Sequence, residues 1–140
     1  ITRAEAPLGA LEPAVGAWRE TLARGRGFLL VRGFPIERLG VEGAMLGYWA
    51  IGLHLGTPVP QNLAGELLTD VRDTGADPGD PSTRLYRTRA EQDFHTDGAD
   101  VIGLLCLAGA RRGGESRIVS SVTVFNEILR RRPELAPVLF

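Results

Sequence analysis

The chain has 140 residues, 44% of them hydrophobic, which suits a single domain with a packed core. Sixteen Lys and Arg against seventeen Asp and Glu leave a net charge of −1, so the single-signed field behind nonspecific nucleic-acid binding is absent. One cysteine, Cys106, excludes an internal disulfide and a Cys-rich zinc site; no apolar run is long enough to span a membrane, and ITRAEAPLGALE is not a signal peptide, so a soluble, cytoplasmic protein is expected.

Leu11 to Arg24 reads as the first helix, with Leu11, Val15, Trp18 and Leu22 on one stripe and Arg19, Glu20 and Arg24 on the wet face. Gly25 and Gly27 end it, and the apolar run Phe28 to Val31 then reads as a short buried strand closed by Gly33 and Pro35. Leu39 to Leu53 is a second helix. Its three glycines, Gly43, Gly47 and Gly52, each cost about 1 kcal/mol against Ala in a helix interior, a cost that close packing offsets. GTPVPQNLAG, from Gly56 to Gly65, is a turn-rich connection, and Glu66 to Val71 is a second strand. Asp73 to Ser82, DTGADPGDPS, holds too little apolar surface for a core element and reads as an exposed loop.

From Tyr86 to Gln92 the chain is polar and basic, and Phe94-His95-Thr96-Asp97-Gly98 follows. Val101 to Leu107 and Arg117 to Ser121 read as strands on either side of the turn Arg111 to Glu115. Ser121 is placed to cap a helix through Phe125, Ile128 and Leu129. That helix ends in Arg130, Arg131 and Arg132, where cations suit the negative end of its dipole. Pro133 permits a further short helix. No internal repeat is visible, and no boundary splits the chain in two.

His95 and Asp97 lie two residues apart, so in an extended segment both side chains share one face. An imidazole and a carboxylate then converge as two thirds of the two-His-one-carboxylate triad of non-haem iron oxygenases, and Gly98 leaves room beside a metal. His-x-Asp alone is weak evidence. An ordinary loop histidine beside a hydrogen-bonded aspartate fits the spacing too, and Asp93 and Asp100 are alternative ligands for an all-oxygen site.

The ordered set FHTDGADVIGLLCLAGARRGGESRIVSS, with GFLLVRGFPI and LGTPVPQNLAGELLTDV upstream and SVTVFNEIL downstream, resembles the taurine catabolism dioxygenase family. The resemblance runs from Arg26 to Phe140. It implies a mainly β fold, a distorted double-stranded β-helix (jelly roll) with helices packed outside. It also implies an oxygenase that uses Fe(II), 2-oxoglutarate and molecular oxygen to hydroxylate a small organic substrate, with release of succinate and carbon dioxide. Under it, His95 and Asp97 are iron ligands and Ser116, after the Gly113-Gly114 turn, holds a 2-oxoglutarate carboxylate. Ser116 also fits a turn-capping role.

The family's third ligand, a distal histidine, and its 2-oxoglutarate arginine lie far downstream of the Gly-Gly turn. Residues 1–140 are therefore expected to be the amino-terminal portion of one dioxygenase domain that continues beyond residue 140. His54 precedes His95 by forty-one residues, the wrong order for that third ligand, and is expected to pack or to face substrate.

Thr57, Pro60 and Glu91 stand where taurine-using members carry a histidine, a tyrosine and an asparagine, which argues against taurine as substrate. Arg84, Arg87 and Arg89 admit an acidic substrate or cofactor, although a solvated basic surface explains them slightly better. The segment from Asp73 to Ser82 falls where the family has a loop over the active-site mouth. Expected partners are a small-molecule substrate and neither nucleic acid nor membrane; self-association into a homo-oligomer is left open. The rival functions are a non-catalytic small-molecule-binding protein on the same fold and a structural module that pairs through its apolar surface.

Overall fold

The computed structural model describes residues 1–139. Its regular elements are helical: α1 (Glu12–Arg24), α2 (Ile36–Leu55), α3 (Ser121–Arg131) and short 3-10 turns. The chain divides into two compact units. The first joins residues 1–55 to the segment from Leu104 onward, and the second is Gly56–Gly103.

In the first unit, Pro13 in the opening turn of α1 needs no N–H partner, and Glu12 there faces the positive end of the helix dipole. The helix stops at Gly25, whose N–H donates to the Thr21 carbonyl at 3.1 Å; a Cβ on Gly25 would lie 2.8 Å from that oxygen, so only glycine fits the turn. Val15 is buried at 2% exposure, while Trp18 and Leu22 of the expected stripe are half-buried. The stripe packs on α2, where Ala44 is fully buried.

Helix α2 is longer than its apolar periodicity suggests and breaks once, at Gly40, with φ 68° and ψ 174°. Those angles are open essentially to glycine alone. Gly47 serves close packing, because a Cβ there would approach the Phe34 ring to 3.3 Å. The amino-terminal segment is tied to the far half of α2. The Trp49 indole N–H donates to the Ile1 carbonyl at 3.4 Å, and His54 Nε2 donates to the Ala6 carbonyl at 2.8 Å.

Helix α3 begins one residue earlier than its expected cap implies: Ser120 Oγ, not Ser121, accepts the Thr123 N–H, at 3.2 Å. Glu127 accepts from both Arg130 and Arg131 at 2.8 Å. The 3-10 turn Pro133–Leu139 folds back on α3.

The second unit has no α-helix among the described residues. Side chains bonded to backbone hold it instead. Asn62 Oδ1 accepts from the Ala64 and Glu66 N–H groups at 3.0 and 3.3 Å, and its Nδ2 donates to the Glu66 carboxylate. In the loop that follows, Asp73, Asp77 and Asp80 each accept a backbone N–H two residues on, from Gly75, Gly79 and Ser82, all at 2.8 Å. The loop closes where the Thr74 N–H and hydroxyl both donate to the Arg87 carbonyl, at 2.9 and 3.1 Å, and where Arg89 pairs with Asp73.

The expected mainly β fold is overturned. No strand occurs among the described residues, and the four segments read as strands, 28–31, 66–71, 101–107 and 117–121, form no ladder. The jelly roll expected from the resemblance is therefore not the architecture of this chain. The physical reason is that a strand exists only when its N–H and C=O groups meet a neighbouring strand, whereas a helix completes its bonds within itself. Leu30 and Leu104, 75% and 72% exposed, find no facing layer.

Two outcomes follow from these bonds. Gly40→Ala forces a side chain into a glycine-only region and should lower unfolding stability by about 1–3 kcal/mol, read as a shifted urea midpoint. The Arg89 hydrogen bond, and after it the Gly75 N–H, holds the Asp73 carboxyl below its ordinary value of 3.8. Because the folded value is the lower one, the stabilisation is fully present above pH 3.8 and is lost as pH falls through the folded value. Amide exchange at Thr74 and Gly75 should stay protected at neutral pH and lose protection only in that acidic window.

Candidate metal centre

His95 and Asp97 lie in the second unit, on a segment without regular secondary structure. His95 Nδ1 is 2.7 Å from the Asp93 carbonyl oxygen. A carbonyl only accepts, so Nδ1 carries the proton and the Nε2 lone pair is left for a ligand. Metal-ligating histidines almost always donate their other ring N–H to such a group, because the second bond settles both tautomer and ring direction.

Nε2 stands 3.8 Å from Asp97 Oδ1, and both side chains are 55% exposed. Two donors bound at right angles to one ion, with bonds of about 2.1 Å, lie about 3 Å apart. The pair therefore needs to close by less than an ångström, within reach of side-chain rotation at such exposure. A neutral imidazole beside a carboxylate suits a divalent transition metal, and the carboxylate offsets part of its charge. Among the described residues no cluster of three or more His, Cys, Asp or Glu is assembled, and His95 and Asp97 stand as a candidate pair.

The other expected residues fall as follows. Asp93 contributes its main-chain carbonyl, a role that no side-chain motif signals; only the bond to His95 discloses it. A Cβ on Gly98 would meet nothing within 4 Å, so the space beside the pair is open on this chain whatever residue follows Asp97. Ser116 is exposed and belongs to the first unit, two residues after the Gly113-Gly114 pair ends, and the φ values of 74° and 81° at those glycines give the turn its glycine requirement. His54 is half-buried at the end of α2, where its Nε2 donates to the Ala6 carbonyl. Of the basic trio, Arg89 is committed to Asp73, while Arg87 lines a polar groove with Arg72, Thr74 and Tyr86. Thr57, Pro60 and Glu91 are all exposed. No helix among the described residues is long and apolar enough to cross a membrane.

The family model described as taurine catabolism dioxygenase TauD, TfdA family matches residues 3–139. FR-33289 synthase of Streptomyces rubellomurinus is 35% identical over 136 residues, which cover 96% of this chain and 40% of that protein. A taurine hydroxylase-like protein, SAT17, of Stachybotrys chartarum is 39% identical over 46 residues, covering 33% of this chain and 12% of that protein. The chain thus spans about 40% of the length of the synthase it matches. No solved structure matches.

Substitution separates the candidate carboxylates. In anaerobic Fe(II) titrations of the complete protein, His95→Ala and Asp97→Ala should each weaken binding by at least the roughly 10–100-fold that loss of an outer-shell partner costs. Asp100→Ala should leave it unchanged. Equal affinity in His95→Ala and wild type would remove the histidine from the centre.

Proposed function

We propose, from the premise that this chain belongs to the taurine catabolism dioxygenase TauD, TfdA family, that the complete protein is an Fe(II)- and 2-oxoglutarate-dependent oxygenase hydroxylating a small organic substrate. The observation that carries this reading is the His95 imidazole held by the Asp93 carbonyl with its free Nε2 turned to Asp97.

Iron, 2-oxoglutarate and oxygen, when bound, supply the oxidising power, one oxygen atom entering the substrate C–H bond and the other entering succinate as carbon dioxide leaves. The chain's own residues bind and orient. His95 offers a neutral nitrogen whose direction is settled before any ion arrives, and Asp97 supplies the negative charge that favours a divalent cation. Ser116 is assigned the 2-oxoglutarate carboxylate, toward which its hydroxyl can donate one hydrogen bond. The loop closed by Thr74 and Arg87 is assigned the exclusion of water from the site, a task closed loops perform in other enzymes.

The substrate class follows from what the positions around the resemblance carry. Thr57 offers one hydroxyl, Pro60 no side-chain donor, and Glu91 a carboxylate that repels a sulfonate brought near it. Arg84 and Arg87, with no share in the Asp73 ion pair, suit an anionic group of another kind, such as a carboxylate. Taurine is accordingly not the primary substrate.

A substrate panel tests the reading. Succinate release by the complete protein should require Fe(II) and be faster with carboxylates, amino-acid derivatives or aryloxy acids than with taurine. Ser116→Ala should raise the KM for 2-oxoglutarate by the equivalent of about 1.5–3 kcal/mol, the worth of one hydrogen bond to a charged group, with little effect on iron affinity. Absence of 2-oxoglutarate binding to iron-loaded protein would make a non-catalytic binding protein the better reading.

A further inference from the structure

We propose that the Asp97–Gly98 link is a site of spontaneous modification, at which Asp97 isomerises to isoaspartate through a cyclic imide. The chemistry is independent of the metal reading of His95 and Asp97; only its consequence for a bound ion rests on that reading.

The sequence singles the position out. Among the chain's aspartates, Asp97 alone precedes a glycine. The reaction brings the main-chain nitrogen of the next residue onto the carboxyl carbon, and a side chain on that residue obstructs the approach. Asp70, Asp73, Asp93 and Asp100 precede Val71, Thr74, Phe94 and Val101. Asp77 and Asp80 precede prolines, whose nitrogen has no hydrogen to give up. Gly98 has no Cβ and the widest choice of backbone angles.

The structure leaves the approach open. Asp97 and Gly98 belong to no helix or ladder, so the Gly98 N–H is not held in a regular array. The Asp97 side chain is 55% exposed, and a Cβ built on Gly98 meets nothing within 4 Å. Asp73, Asp77 and Asp80 differ here too, since each carboxylate is tied to an N–H two residues on, at 2.8 Å.

The step balances without a redox partner. The Gly98 nitrogen bonds to Asp97 Cγ, and the protonated carboxyl loses its hydroxyl, which leaves with the amide hydrogen as water. Water then adds to the imide. Addition at Cγ breaks the new bond and restores aspartate. Addition at the Asp97 main-chain carbonyl carbon breaks the original peptide bond, and the chain then runs through Cγ. Mass is unchanged, and nothing is oxidised or reduced.

The isomer carries its carboxylate directly on Cα and has one more methylene in the main chain. The bond from His95 to the Asp93 carbonyl lies upstream of the altered link, but the carboxylate that stood 3.8 Å from Nε2 has a different reach. An ion held by Asp97 would occupy the group that the reaction consumes, and so would slow it.

The test follows the complete protein through prolonged incubation in neutral buffer. The samples are metal-free wild type, wild type saturated with Fe(II) under anaerobic conditions, and metal-free Gly98→Ala. Isoaspartate is read site by site, by electron-transfer fragmentation and by isoaspartyl methyltransferase labelling. Alanine suits position 98, where φ is not positive and the added methyl meets no neighbour. Asp93 and Asp100 in the wild type give a comparison that needs no variant.

Isoaspartate should build up at Asp97 several-fold faster than at Asp93 or Asp100, and Gly98→Ala should slow it several-fold at Asp97 alone. No more isoaspartate at Asp97 than at the other two, or an unchanged rate in Gly98→Ala, would overturn the proposal. Saturating Fe(II) should slow the isomerisation. A rate that bound Fe(II) leaves unaltered would remove Asp97 from the metal centre while the modification site stood.

Discussion

An extended backbone becomes a strand only when another segment answers its N–H and C=O groups, and the described residues of this chain offer no such answer. What forms regular structure is what completes its hydrogen bonds locally. Helices α1, α2 and α3 bond within themselves, and their ends are finished by nearby groups such as the Thr21 carbonyl and the Ser120 hydroxyl. Where no helix forms, polar side chains take over the task. Asn62, Asp73, Asp77 and Asp80 each bind backbone N–H groups within four residues, which is why the second unit is orderly without an α-helix or a sheet among the described residues.

The same economy of local bonds shapes the candidate centre. The imidazole of His95 is oriented by a carbonyl two residues away, and the carboxylate of Asp97 stands two residues beyond. Neither group depends on burial, so both keep the freedom to close around an ion. The family match over residues 3–139 points to an oxygenase kind of function, which an imidazole beside a carboxylate does not specify alone.

Several of the chain's cations are paired with carboxylates. Arg89, the basic residue of the trio nearest His95 in sequence, is engaged by Asp73. The triple arginine at the end of α3 is likewise occupied, Arg130 and Arg131 by Glu127 and Arg132 by Glu134. A count of basic residues therefore overstates the positive charge left for an anionic ligand. Such pairings are invisible in composition, because they join residues as far apart as Asp73 and Arg89.

The helices were legible in the residues alone, but the fold class was not. The stripe of Val15, Trp18 and Leu22, the glycines at 25 and 27, and the capping serine region before α3 all encode helices whose bonds span a few positions, so periodicity and caps suffice to read them. The two-residue spacing of His95 and Asp97 likewise told that the two groups would lie near each other. Tertiary structure decided what depends on a partner distant in sequence. β-branched runs such as Arg117 to Ser121 state a preference for the extended form but cannot supply the neighbour it needs, and they stay unpaired. Which carbonyl holds His95, which carboxylate holds Arg89 and which serine caps α3 are questions of direction and distance. A residue's identity sets the bonds it is able to make; only its place in three dimensions sets with whom.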